Sequence, residues 1–309
     1  MMDQIGTSVR DTDVNGGPKG LDDLEQASEV FASVRPQLFG IAYRMLSSVA
    51  EAEDLVQEVW LRWQKYDRST VTNPTAFLAT TTTRLAITEL GSARARRETY
   101  VGEWLPEPVD TSADPYLGAE RNAALEFAVM LLMEKLTPNE RAAYVLREAF
   151  DYPYAQIAEI LQSTEPAVRQ LVSRARKHVV GARRAPVSAA AQRKLLTAFV
   201  AAARSGDMTA LEQLFAPDVA SVSDGNGKKG VARQPVVGVS RVLTLLKPVS
   251  AWFGDGVEVE WVTMNGQACA LLRTDGAVSG LVTISASAEG IDELLWQLNP
   301  EKLSIGTRR

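Results

Sequence analysis

Tyr154–Val179, YAQIAEILQSTEPAVRQLVSRARKHV, reads as two helices joined by a short turn, each with one apolar and one polar face. On the second helix Val168, Leu171, Val172, Ala175 and Val179 recur at helical spacing and form one stripe. The opposite face carries Arg169, Gln170, Ser173, Arg174, Arg176 and Lys177, and no acid occurs from Pro166 through Arg184. Tyr154, Ile157, Ala158 and Leu161 repeat the stripe on the first helix, where Ala158 is small enough for a close crossing. A helix entering the major groove needs this division: its back packs on the body while basic and amide groups meet phosphates and base edges. A solvated Arg-rich surface helix has the same composition. The paired helix and the turn spacing favour a DNA-binding helix-turn-helix.

Working outward, the 309 residues suffice for two or three domains, and 46% hydrophobic content supports real cores. A net charge of −5 excludes a non-specific DNA coater. Basic patches on an acidic body suit a protein that binds DNA weakly alone, or only within a larger complex. The single cysteine, Cys269, lies in the apolar run ACALLR, so neither a disulfide framework nor a cysteine metal site is expected. His178 is the only histidine and falls at the end of the basic helix, facing solvent or phosphate; a histidine zinc cluster is excluded and a catalytic triad disfavoured. No metal, cofactor or catalytic residue is expected. The longest apolar run, Leu195 to Ala203, is half a membrane span, and Met1 to Gly20 is too polar for a signal peptide. A cytoplasmic location is the expectation.

Residues 1–24 read as a disordered tail. A helical block follows over 25–99, with Phe31, Val34, Leu38, Ile41 and Met45 at helical spacing and a second helix from about Ala50 to Lys65. Asn73-Pro74 starts a third helix, as N-cap and first-turn proline, running to about Arg97 through the poor helix formers Thr80 to Thr83. Residues 100–118 carry three prolines and read as a linker. The second helical block, 119–184, ends in the helix-turn-helix. Over 189–309 two helices lead into strand-like runs at Val219–Ser223, Val257–Met264, Ala268–Thr274, Val278–Ser285 and Ile291–Leu298. Asn265-Gly266, Asp275-Gly276 and Glu289-Gly290 between them are hairpin signals. The expected fold is multi-domain: two all-α units, then an α+β unit with helices on a curved antiparallel sheet.

Within Asp54–Trp63, DLVQEVWLRW, Leu55, Val56, Val59 and Trp60 pack inward while Asp54, Gln57 and Glu58 point out. That segment, an Arg-rich helix end, a proline linker and a terminal helix-turn-helix together resemble a bacterial sigma factor of the extracytoplasmic-function group over about Val30 to Arg184. The resemblance implies that Asp54, Gln57 and Glu58 dock on the basic coiled coil of the β′ subunit of core RNA polymerase, where carboxylates and an amide satisfy arginine donors. It implies that the loop from Tyr66 to Asn73, including Arg68 and Asn73, captures an unstacked base of the −10 element. Arg94, Arg96 and Arg97 would hold nearby phosphates. Pro166, Arg169, Gln170 and Ser173 would approach base edges of the −35 element, with Arg174, Arg176 and Lys177 on phosphates. The turn departs from the family's pattern at Gln162, where a glycine is usual; a non-glycine at positive φ costs of order 1 kcal/mol, so a reshaped turn is the expectation.

Three further segments, WLPEP (Trp104–Pro108), Asp224-Gly225-Asn226-Gly227-Lys228 and Asn299-Pro300-Glu301-Lys302-Leu303, resemble the signatures of a subgroup carrying a fused SnoaL-like domain of the NTF2-like cone fold. The resemblance implies cis regulation of the sigma part, with regulatory contacts from Trp104, Leu105, Pro106, Asp224, Lys228, Asn299, Pro300 and Lys302. A small-molecule ligand of this domain is a compatible further partner. The alternative is a DNA-binding regulator fused to a small-molecule-binding or SnoaL-type enzyme domain using Asp224, Glu258, Glu260 or Asp275 as general acid or base. In VEVEW, Glu258 and Glu260 share one face, the ordinary pattern of a solvated strand.

Overall fold

The computed structural model describes residues 19–111, 125–181, 184–248 and 256–303. The first block is three helices, α1 (Lys19–Leu46), α2 (Val49–Lys65) and α3 (Pro74–Glu98). The helix α1 begins within the stretch read as tail; residues 1–18 of that tail lie outside the described residues. Ser48 and Asn73 cap α2 and α3 by accepting the backbone N–H groups of Glu51 and Ala76. The threonine run does not interrupt α3. Each hydroxyl from Thr80 to Thr83 donates to the carbonyl four residues back at 2.7–2.9 Å, and Thr82 and Thr83 are fully buried. Burial and these local bonds offset their low propensity.

The second block comprises α4 (Phe127–Met133), α5 (Pro138–Glu148), α6 (Tyr154–Ile160) and α7 (Glu165–Gly181). Its start near 119 and the linker end at 112–118 lie outside the described residues. Thr137 and Glu140 form a reciprocal capping box on α5, which fixes where that helix begins. The turn after α6 is not reshaped: Gln162 takes φ 51, and the Ser163 N–H closes onto the Ala158 carbonyl at 2.9 Å. The missing glycine is therefore absorbed as local strain rather than as a different turn.

The two blocks share one core. Leu38, Ile41, Met45 and Leu90 pack in the same cluster as Ala142, Val145, Ile157 and Val168. Polar ties reinforce it. Arg141, fully buried, donates to the Arg44 carbonyl at 2.9 Å, to Glu134 at 2.7 Å and to the Ser47 hydroxyl at 2.6 Å. Arg84 of α3 donates to the Ile160 and Glu159 carbonyls at the C-terminal end of α6, at 2.9 and 3.1 Å. Burial penalises the charged form of Glu134, but Arg141 and Arg97 outweigh it and hold its carboxyl below the usual range.

The C-terminal unit is α8 (Ala189–Ser205), α9 (Met208–Leu214) and a six-stranded sheet with one helix inserted, α10 (Val239–Leu246). Its strands are β1 (Phe215–Asp224), β2 (Val236–Val237), β3 (Val257–Met264), β4 (Gln267–Thr274), β5 (Ala277–Ser287) and β6 (Gly290–Gln297), in the order β2-β1-β6-β5-β4-β3. The hairpins from β3 to β6 are antiparallel as expected, whereas β1 joins β6 in parallel, so the sheet is mixed. The chain between β1 and β3 crosses over through α10, the kind of connection a parallel neighbour requires. Asn265-Gly266 and Asp275-Gly276 occupy two of the turns with positive φ at both residues. In the third, Gly290 already pairs with Ser287 as the first residue of β6, where an added Cβ would lie 2.6 Å from the Leu214 carbonyl oxygen.

Side chains alternate across this sheet. Ala270, Leu272, Val282, Ile284, Leu294 and Trp296 face α8–α10. Cys269, Leu271, Leu281, Leu295, Val222 and Met264 face the other way, onto Leu105 of the linker and Phe127 of α4. Both faces are therefore covered, one by the unit's own helices and one by the rest of the chain. Among the described residues no helix is long and apolar enough to cross a membrane.

Two outcomes are expected. Glu134 has a depressed carboxyl in the folded chain, so its stabilisation is present above the unfolded carboxylate value and is lost as pH falls below about 4. Glu134→Gln should cost about 3–5 kcal/mol at neutral pH by stripping buried arginines of their shared carboxylate, and should flatten the acid limb of a melting-midpoint profile. Gln162→Gly should add roughly 0.5–1 kcal/mol in denaturant titration, since glycine accepts positive φ without the steric cost.

Candidate functional site

The polar face of α7 is open. Pro166, Arg169, Gln170, Ser173, Arg174, Arg176, Lys177 and His178 are all exposed, while Val168, Val172, Ala175 and Val179 are buried against the block. Several guanidinium groups nevertheless have carboxylate partners. Arg169 pairs with Glu165 one turn back and lies 4.3 Å from the Tyr154 ring centroid. Arg174 reaches Glu140 at 2.9 Å, and Arg176 reaches Glu148 at 2.7 Å. The acid-free stretch seen in the sequence thus acquires acids from neighbouring elements.

On α2, Asp54, Gln57 and Glu58 are exposed and Leu55, Val56 and Val59 buried, as the amphipathic reading requires. Glu58 pairs with Arg62 at 2.7 Å. Asp54 and Glu58 line a groove of about 710 Å³ between α2 and α3, with Glu51, Glu89, Leu55 and Leu85 among its walls. Glu89 was not singled out from sequence, because only the packing of α3 on α2 brings it to this groove.

Of the residues expected near the −10 element, Arg68, Asn73 and Arg97 each have partners within the chain. Asp67 folds the loop by accepting from the Ser69 N–H and hydroxyl, the latter at 2.6 Å. Arg68 donates to the Trp63 and Gln64 carbonyls, both at 3.1 Å, and so closes the end of α2. Asn73 uses its carbonyl oxygen to cap α3. A pocket of about 330 Å³ lies behind this loop, with Trp63, Arg68, Ser69, Val71 and Pro74 in its wall. Arg94 and Arg96 sit on α3, and their side chains lie outside the described residues. Arg97 is corrected outright: only 10% exposed, it pairs with Glu134 and the Leu46 carbonyl and lies 4.6 Å from the Trp104 ring centroid. In this conformation it is an internal tie rather than a phosphate contact.

The three short signatures meet at one buried carboxylate. Asp224 is fully buried at the end of β1 and accepts from the Tyr100 hydroxyl, from the Leu105 N–H at 2.9 Å and from the Lys302 ammonium at 2.7 Å. Lys302 also donates to the Leu105 carbonyl at 2.7 Å and sits 3.0 Å from the Trp104 ring centroid. Burial lowers its ammonium to about 8, against the attraction of Asp224. Asn299 donates to the Tyr100 hydroxyl at 2.8 Å and caps the Pro300–Lys302 turn through the Glu301 N–H, and Gln297 reaches the Pro106 carbonyl at 3.4 Å. Lys228 is exposed, outside this knot. What reads as a linker is thus firmly seated: Leu105, Pro106, Pro108 and Val109 are buried.

A second knot went unseen in the sequence. Asn265, read only as a turn residue, donates to the Tyr43 hydroxyl at 2.6 Å and the Leu125 carbonyl at 3.2 Å, and accepts the Val109 N–H at 2.9 Å. Glu107 bonds the Val49 N–H at 2.8 Å, which ties the linker to the start of α2. Tyr100 and Gln297 were missed as well, and no local signal marks either.

The carboxylates weighed for an enzyme are dispersed. Glu258 and Glu260 are exposed on edge strand β3, where Glu260 pairs with Arg273 at 2.9 Å, and Asp275 is in a turn. A cavity of about 50 Å³ beneath the loop after β1 is lined by Ser223, Val231, Leu246, Trp296 and Leu298, among others.

Comparison with known proteins accounts for this arrangement. Residues 30–96 match the model of Sigma-70 region 2, and residues 126–179 match that of Sigma-70, region 4. The chain is 37% identical over 289 residues to the ECF RNA polymerase sigma factor SigJ of Mycobacterium tuberculosis, covering 89% of this chain and 92% of that protein. It is 30% identical to the probable ECF RNA polymerase sigma factor SigI of the same species, covering 90% and 95%. The crystal structure of M. tuberculosis SigJ superposes with a TM-score of 0.71 at 33% identity, over 90% of this chain and 98% of that one, so the likeness extends into the C-terminal unit. The enzyme alternative falls away with this kinship, and the chain belongs to the extracytoplasmic-function sigma factors, alternative sigma factors that direct transcription initiation.

Proposed function

We propose that this sigma factor divides its work among three units, 25–99, 119–184 and 189–309, with the tail 1–24 and linker 100–118 between and before them. The first unit docks on the β′ coiled coil through Asp54, Gln57 and Glu58, and the groove lined by Asp54 and Glu58 together with Glu51 and Glu89 complements arginine donors. Its Tyr66–Asn73 loop and the pocket behind it suit an unstacked base of the −10 element, with Arg94 and Arg96 toward phosphates. The second unit reads the −35 element with Pro166, Arg169, Gln170 and Ser173, and Arg174, Arg176 and Lys177 meet the backbone. A cytoplasmic location fits this reading, since promoter DNA and polymerase are its partners.

The C-terminal unit acts in cis as a restraint. The observation that carries this is the convergence of Tyr100, Leu105 and Lys302 on Asp224, with Asn299 holding the Tyr100 hydroxyl, which fastens the linker to the sheet. Elements centred about 25 base pairs apart lie on the order of 80 Å apart along a duplex. Here Arg84 of the first block bonds the end of α6, so both readers are held within contact of each other. Promoter engagement requires the blocks to separate, and the linker must leave its seat for that.

Run-off transcription with core polymerase on a promoter library tests both parts. Lys302→Met strands Asp224 as an unpaired buried charge, at a cost of about 3–5 kcal/mol to the knot, and should raise transcript yield. Asn265→Ala, which cuts the second knot, should act in the same direction. Yields equal to wild type in both variants would remove the restraint. Asp54→Arg with Glu58→Arg should weaken core binding at least about tenfold by like-charge repulsion. Unchanged core affinity in that double variant would sink the docking face.

A further inference from the structure

We infer that Glu140 and Glu148, the two carboxylates of α5 that hold Arg174 and Arg176, set the selectivity of the recognition helix for its DNA element. The inference rests on the reading of α7 as that helix. Ala175 is fully buried, and residues 174 and 176 emerge on either side of it. Glu140, in the first turn of α5, accepts from the Nε of Arg174 at 2.9 Å. Glu148, in the last turn, accepts from the Nε and one terminal nitrogen of Arg176 at 3.1 and 2.7 Å. One short helix thus occupies both guanidinium groups from its two ends.

The placement of Glu148 is the telling part. A carboxylate at a helix C-terminus faces the negative end of the macrodipole, so the position costs α5 stability rather than adding to it. Two hydrogen bonds from Arg176, both accepted by one carboxylate oxygen, are what the side chain gains. That arginine is held above its ordinary value, first by its hydrogen bonds with Glu148. Glu140 serves two masters: one oxygen completes the capping box with Thr137, the other holds Arg174.

A guanidinium already paired with a carboxylate gains little from an arbitrary phosphate, because one charged partner is exchanged for another. Two consequences follow. Non-specific duplex, which offers phosphates alone, is bound less well than the basic face would suggest. A matching element adds base-edge bonds from Gln170 and Arg169, and these tip the exchange. The same pairs keep both arginine side chains in fixed positions, which lowers the ordering cost when the right duplex arrives. Glu140 and Glu148 are therefore positioning residues that discriminate by taxing the wrong DNA.

Full-length wild type, E148Q and E140Q/E148Q are each assembled with core polymerase and given promoter fragments randomised over the upstream element, with excess non-promoter duplex as competitor. Glutamine keeps the capping box at position 140, so α5 is retained. Sequencing of the transcripts should show the preference for cognate over random upstream sequence falling about threefold in E148Q and roughly tenfold in the double variant. Competition by non-promoter duplex should become more salt-dependent, its log–log slope growing by about one per released arginine. E148D, which keeps the charge, should retain the wild-type profile. An E148Q profile and salt slope equal to wild type, whatever its melting midpoint, overturn the proposal and leave the reading of α7 intact. A wild-type holoenzyme that yields no transcript, or transcripts indifferent to the upstream element, overturns that reading and this proposal with it.

Discussion

A carboxylate with no access to water must find its partners inside the protein, and the geometry of this chain follows from how Asp224 does so. Its partners come from the linker and from the far end of the chain, Tyr100 and Leu105 on one side and Lys302 on the other. Leaving any of them unmade costs more than an ordinary hydrogen bond returns, because the charge stays buried. The linker is therefore not slack rope between domains. Through Glu107 and Val49 it continues into the start of α2, and through Val109 and Asn265 into the turn after β3, so sheet, linker and first helical block move as neighbours.

The junction of the two helical blocks is built differently. Arg44 and Arg141 are both fully buried there, and burial pushes the Arg44 guanidinium down to about 10. Arg141 has Glu134, but Arg44 leans on the Gly40 carbonyl at 3.0 Å and on the face of Phe150, 5.1 Å from its centroid. Charges so placed add little net stability compared with an apolar core, while they penalise any misaligned packing severely. The junction is specific without being deep, which suits the separation of the blocks proposed for promoter engagement.

Much of this was legible in the sequence, and the residues show where legibility stops. Periodicity located α2, α7 and the β3–β6 hairpins almost to the residue, since 3.6- and 2-residue repeats, caps and Asn-Gly turns are local properties. The same logic warned against Thr80–Thr83 and Gln162, and there tertiary packing and a backbone closure overrode it. Arg97 looked like a DNA contact because it ends an Arg-rich helix, yet Glu134, thirty-seven residues on, claims it. Tyr100 and Gln297 carry no local mark, and the mark on Asn265 is that of a turn; only folding brings them to Asp224 and Tyr43. One cue did exist. ACALLR does not alternate, and an apolar run on a strand means that both sheet faces are covered. It announced that something besides α8–α10 packs on the sheet.

The partners of Tyr100 lie 124 and 199 residues further along the chain. A ribosome adding about 5–20 residues per second needs roughly 10–40 s to cover the longer interval. Over its last part, once Gly181 has been made, both helical blocks exist while Asn299 and Lys302, which complete the seat of the linker, do not. Each newly made molecule therefore passes through a stage in which its two helical blocks are made and the contacts that complete the seat of the linker are not. Under the restraint proposed above, the order of the domains along the message makes closure a late event, so that the age of a molecule as well as any signal bears on how polymerase meets it.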